Sequence, residues 1–230
     1  GNYVIQKDEI ELEFESLKIK LHYKMKKYSK ATKVFENLHT KFMLDNVNQT
    51  MGASGPTVIE IYSYGIQSYL KMNDSLRALQ IHEDFLSIIE YNFEDNKLFY
   101  GLACCLKGLI MLARGANSKL ISRYASGASR KNNPIHMDTV ESGSILVSKL
   151  LIKLYKLMSK EKEIETTSSA CIKQIETSYC PHHMLTFDFY VSKLESLLAR
   201  QKYSDADKEC EGLAEQFEVL EEFQSETQIL

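Results

Sequence analysis

Apolar residues recur at three- and four-residue steps along almost the whole chain, and that spacing predicts helices. Ile10, Phe14, Leu17 and Leu21 predict a first helix over Asp8–Tyr23, and Ala31, Val34, Phe35, Leu38 and Phe42 a second just after it. So short a turn implies an antiparallel hairpin. Asn46–Pro56, with two glycines and a proline, reads as a loop. Thr57-Val-Ile-Glu60 has capping-box spacing and opens a third helix through Ile61, Tyr62, Ile66 and Leu70, which Asn73-Asp74 stops. Leu76, Leu79, Leu86 and Ile89 give a fourth over Ser75–Tyr91.

Asn96–Ala113 is the most apolar stretch, with only Lys97 and Lys107 charged. Apolar positions run all round its helical wheel, so it should be a buried helix on which others pack. Its length and its internal lysine make it a poor membrane span. Gly115 suits the C-cap. The polar, basic segment 117–134 reads as an exposed loop. Periodicity then returns in three helices, carried by Leu146–Met158, by Ile164, Cys171, Ile172 and Ile175, and by Leu185–Leu198. A last one carries Ala206, Cys210, Leu213, Phe217 and Leu220. The expected fold is all-α, an antiparallel array of about nine to ten helices forming a single domain over 1–230.

One turn echoes another. Lys27-Tyr28-Ser29-Lys30-Ala31 and Lys202-Tyr203-Ser204-Asp205-Ala206 each join two helices and place a small alanine at the start of the second. Such turns recur in stacked helical hairpins, but no 34-residue period carries this one through the middle of the chain.

Composition narrows the chemistry. Three prolines and ten glycines in 230 residues favour long helices. Five cysteines, an odd number without a secretory leader, fit reduced thiols and a cytoplasmic, soluble protein. Cys180-Pro-His-His183 has too few ligands for structural zinc, and adjacent histidines diverge on a helix. Cys104-Cys105 lies in apolar surroundings, with only Lys107 to favour a thiolate. No GxSxG, Walker-type glycine loop or HExxH occurs, so neither catalytic residue, cofactor nor metal is expected. A pI near 6.1 weighs against nucleic acid despite the basic stretch Arg123–Lys131.

Several collinear segments resemble the 14-3-3 family of all-helical dimeric adaptors for phosphoserine and phosphothreonine motifs. Met25–Phe35 is similar to the family's first interhelical turn, Asp84–Glu90 to the end of its fourth helix and Lys97–Tyr100 to the start of its fifth. Pro181–Met184, Tyr203–Cys210 and Ser225–Leu230 are similar to the entry of the seventh, the next turn and the start of the last. The resemblance implies phosphorylated protein partners and a homodimer through the N-terminal helices. It implies phosphopeptide contacts at Lys71 and Tyr64, with Lys107 and Arg114 as further groups. Departures accompany it. Tyr64 stands where the family has a lysine, and an expected Arg-Tyr pair falls within the apolar Leu109–Met111. The stretch Arg123–Ser169 is longer than the family's counterpart. Losing such contacts to phosphate costs about 1.5–3 kcal/mol per charged hydrogen bond, so recognition should be weakened or altered. The alternative is an α-solenoid of tetratricopeptide or PCI-associated kind, which holds a partner without reading phosphate. In that case Lys71, Lys107 and Arg114 are solvated tips around an apolar core.

Overall fold

The computed structural model describes residues 2–44, 55–92, 96–131, 142–179 and 183–214, and all regular structure among them is helical. The helices are α1 (Asn2–Lys24), α2 (Tyr28–Leu44), α3 (Gly55–Lys71), α4 (Ser75–Asn92), α5 (Lys97–Ala113), α6 (Ser118–Lys131), α7 (Ser142–Leu157), α8 (Glu161–Ser178) and α9 (Phe187–Ala199). A 3-10 turn, Met184–Thr186, leads into α9, and residues 203–214 form a further helix. The all-α array expected from periodicity is what the chain forms. Among the described residues, those up to Leu154 gather into one compact unit and those from Tyr155 into another.

One backbone device joins the helices in pairs. Lys26, Asn73, Gly115, Ser159 and Gln201 all sit at positive φ, between 52° and 74°. In each turn the next residue donates back to a carbonyl five residues earlier: Lys27 to His22, Asp74 to Tyr69, Ala116 to Met111, Lys160 to Tyr155 and Lys202 to Leu197. These bonds are 2.8–3.0 Å long. This is the Schellman geometry, which satisfies helix-end carbonyls and reverses the chain in two residues. Behind it a small or apolar residue is buried in the first turn of the partner helix: Ala31, Ala78, Ile121, Ile164 and Ala206. The turn therefore recurs every 42–47 residues. Apart from the echo between the first and last of these turns its sequence does not repeat, because hydrogen bonds rather than side chains define it.

Counting back from each left-handed residue aligns the first helices. In the first unit, α3 packs on α1 and α2, and α5 on α3 and α4. The face at 12, 9 and 5 residues before the turn is buried in α3 (Ile61, Tyr64, Ser68), in α5 (Ala103, Leu106, Ile110) and in α7 (Val147, Leu150, Leu154). That face takes the preceding hairpin. The Tyr64 ring centroid is 5.3 Å from that of Tyr23 on α1, and Leu154 packs over Gly108 of α5. On α1 the same positions carry Phe14, Leu17 and Leu21, each 57% exposed, with Ile10 66% exposed. Its opposite face, Leu12, Ser16 and Ile19, is the buried one. The four residues that predict this helix thus mark its outer side.

Two other expectations need correction. The segment 117–134, expected as an exposed loop, is helical from Ser118 to Lys131. Its core face is made of small groups, with Ile121, Ala125 and Ala128 buried, and a Cβ on Gly127 would meet Cys104 Sγ at 3.3 Å. Small residues allow α6 close to α5 without large apolar side chains. The third helix begins at Gly55, ahead of Thr57, because a proline in a first helical turn withholds an N–H that has no helical partner anyway. The central helix behaves as its composition predicts: Asn96 accepts from Leu98 N–H at 3.0 Å, and ten residues of α5 are buried.

In the second unit α8 packs on α9. Glu165 pairs with Arg200 and Lys202, and the Tyr190 hydroxyl donates to Glu176 at 2.9 Å.

Candidate functional site

A half-buried basic cluster stands between α1, α3 and α7. Ile59 of α3 lies against Gly143 of α7, close enough that a Cβ there would be 3.1 Å from Ile59 Cδ1. That contact brings Lys153, near the end of α7, over Gln67 of α3. The Lys153 ammonium donates to Gln67 Oε1 at 2.6 Å, and the Tyr23 hydroxyl of α1 donates to the same oxygen at 3.3 Å. Gln67 is itself held, its amide donating to the Ser63 carbonyl at 3.2 Å and to Ser63 Oγ at 3.1 Å. Lys71 lies one turn on and adds a second positive charge. Burial and then the Lys71 cation push the Lys153 ammonium down to about 8. Among the described residues neither lysine has a carboxylate within ion-pair distance. The result is a fixed, undercompensated positive site of the kind an anionic group neutralises.

The same register positions on α1 also carry lysines. Lys20, Gln67 and Lys153 each stand six residues before a turn, and Lys24 and Lys71 two before. Lys20 is 2.9 Å from Glu60 and so is partly neutralised.

Of the expected site residues, Lys71 is exposed at the C-terminal end of α3 beside Lys153. Tyr64 is buried, turned onto Tyr23, its hydroxyl pushed up to about 12 by burial and then by Glu60. It therefore packs α3 on α1. Lys107 lies 4.0 Å from Glu83, and burial lowers its ammonium, with Glu83 opposing and Arg114 adding to the effect. Arg114 closes α5 as its C-cap. The structure thus does not bring these residues to one site: Tyr64 packs on Tyr23, Lys71 stands beside Lys153, and Lys107 faces Glu83 with Arg114 adding its charge. Lys153 escapes sequence reasoning because only the packing of α7 on α3 joins residues so far apart in the chain.

Two polar networks nearby are structural. His39 stands between the Tyr62 hydroxyl at 3.0 Å and Asp84 at 3.1 Å, and Glu36 receives the Tyr69 hydroxyl and the Arg77 fork. Burial raises the Glu36 carboxyl, but the Tyr69 and Arg77 donors outweigh it and hold it low. Among the described residues no three His, Cys, Asp or Glu side chains converge as metal ligands, and no helix is long and apolar enough to cross a membrane. Cys180 and its neighbours 181 and 182 lie outside the described residues, while His183 caps the Leu185 N–H at 3.2 Å. No protein-family model matches the chain, and no curated protein matches it.

Proposed function

We propose that this chain is a non-enzymatic scaffold of α-solenoid type, built of stacked helical hairpins, which binds an acidic protein segment across α1, α3 and α7. The observation that carries the reading is the undercompensated Lys71–Lys153 pair, set on rigid helices whose hairpins repeat one register. Hairpin stacks present such faces to extended partners. Titration of the full chain with an acidic peptide and a neutral peptide of equal length tests it. The acidic peptide binds, and Lys71→Gln with Lys153→Gln removes that binding. Equal affinity for both peptides, or binding indifferent to the double variant, refutes the reading.

The same pair favours a second reading, a divergent 14-3-3-like adaptor in which the acidic group is phosphoserine or phosphothreonine and two chains associate through their N-terminal helices. A dianionic phosphate engages two lysines at once where a carboxylate carries one charge. A phosphoserine peptide should then bind about tenfold or more tightly than its glutamate twin, given roughly 1.5–3 kcal/mol per charged bond. Parity between the twins leaves the acidic-segment reading alone.

A further inference from the structure

The outward face of α6 is a row of cations. Lys119, Arg123 and Arg130 are all exposed and fall within about 40° of one another round the helix, over a length of roughly 16 Å. Exposed Ser126 and Ser129 and half-buried Ser122 border the row. The Arg130 Nε donates to the Ser126 carbonyl at 3.3 Å, which lays its guanidinium along the helix. α6 has no Asp or Glu of its own. Among the described residues no carboxylate reaches ion-pair distance of the three cations. The tract around the helix is equally one-sided: residues 96–160 hold eleven Lys and Arg against two Asp and Glu, a formal +9 inside a chain of −3. The pI near 6.1 therefore averages a basic tract with an acidic remainder.

We infer that this row binds the sugar-phosphate backbone of a nucleic-acid duplex. Arginine forks grip phosphate oxygens in pairs, and serine hydroxyls beside them donate to the same groups. A duplex strand carries a phosphate every 3.4 Å or so of its axis, so about five fall within the length of the row. The row is one cation wide, which matches a strand rather than a lipid surface. The apolar residues that would anchor such a helix in a bilayer, Ile121, Ala125 and Ala128, are buried on its other side. A single strand would want aromatic platforms for its bases, and the row has none. Backbone contacts of this kind read no sequence. The inference does not rest on Lys71 and Lys153: an acidic peptide can fail there while a duplex still binds α6.

Fluorescence anisotropy of a labelled duplex of about 20 base pairs, titrated with the full chain at a series of salt concentrations, reads the interaction. Three neutralised phosphates predict a log–log salt slope of about −2.7, or about fortyfold in affinity between roughly 50 and 200 mM salt. Arg123→Gln with Arg130→Gln should weaken binding at least about tenfold and bring the slope to about −0.9, with helical circular dichroism unchanged. Ser126→Glu, which sets a carboxylate in the row, should weaken binding too, while Lys71→Gln with Lys153→Gln should leave it as it is. Absence of duplex binding at about 50 mM salt overturns the inference. So does a slope that the double arginine variant leaves unchanged, or a loss that follows the Lys71 and Lys153 variant instead. Tighter binding, at equal charge, to polyglutamate or to vesicles of phosphatidylcholine and phosphatidylserine overturns it as well.

Discussion

The Phe35 ring of α2 lies flat on the backbone of α3 at Gly65, where a Cβ would stand 2.3 Å from Phe35 Cδ2. Phe35 is fully buried and meets Tyr62 edge-on, with centroids 5.5 Å apart, so it has no free space to yield. Glycine inside a helix ordinarily costs about 0.5–1 kcal/mol relative to alanine. Here the sign reverses, since overpacking costs typically about 1–3 kcal/mol. Gly65→Ala should destabilise the chain by roughly 1–3 kcal/mol and lower the melting temperature by a few degrees. Adding Phe35→Leu should cost less in the Gly65→Ala background than alone. Simple additivity in denaturant unfolding would show that the contact is not the cause.

The turns supply a paired test. Gly115 has φ of 74° and nothing within 4 Å of a notional Cβ, so Gly115→Ala adds backbone strain and no clash. Ser159 holds the same region, at φ 52°, with a side chain. Left-handed conformation costs a non-glycine residue about 1–2 kcal/mol, partly offset by the lower unfolded entropy of non-glycine residues. Gly115→Ala should therefore lower stability by about 1 kcal/mol and Ser159→Gly raise it by roughly half as much. Calorimetry of both variants decides, and shifts of the same sign would argue against strain at these turns.

How far the sequence foretells this arrangement depends on what each element packs with. α5 is legible because it is apolar all round and carries its own punctuation, Asn96 before it and Gly115 after it. α6 is not, because Ala125, Ala128 and Gly127 pack by being small, and apolar periodicity weights large side chains. α1 is legible as a helix but not in its orientation. It is apolar on two opposite faces, and the stronger stripe, through Phe14 and Leu17, is the outer one. At the site, the resemblance points to Lys71, yet its partner Lys153 arrives by tertiary packing that no local pattern encodes. Tyr64, to which the resemblance also points, packs against Tyr23.

His82 makes the first unit acid-sensitive. It is buried on α4 with Nε2 2.8 Å from the Ala103 carbonyl, so the proton sits on Nε2 and the neutral ring donates. Burial, only partly offset by that bond and reinforced by Lys107, pushes the imidazole down to about 4. The folded value lies below the unfolded one, near 6.5. The stabilisation is therefore complete above about pH 6.5 and is lost as pH falls towards 4, by up to about 3 kcal/mol. His39, lowered mainly by burial, adds in the same direction. His82→Gln keeps a donor for Ala103 but cannot titrate there. Its unfolding free energy should vary less between pH 6.5 and 4 than that of the parent, and an unchanged slope would exonerate His82.

Lys153 has the same linkage sign at higher pH. Its ammonium is depressed to about 8 by burial and by Lys71, from an unfolded value near 10.5. Below about pH 8 it is charged in both states, and the folded chain bears the whole desolvation and repulsion cost. Between about 8 and 10.5 the folded lysine is neutral while the unfolded one still binds a proton, so stability rises with pH. Allowing for its partial exposure, that cost is about 1–2 kcal/mol at neutral pH. Lys153→Met should therefore stabilise the free chain at pH 7 and lose that advantage by about pH 10. An anionic segment at the site reverses the balance, because it favours the charged ammonium. Binding should take up a proton near pH 8, and affinity for an acidic or phosphorylated peptide should fall as pH rises through that value. Calorimetric titrations in buffers of different ionisation enthalpy measure the proton uptake directly. Binding without proton uptake near pH 8 would place the anion away from Lys153.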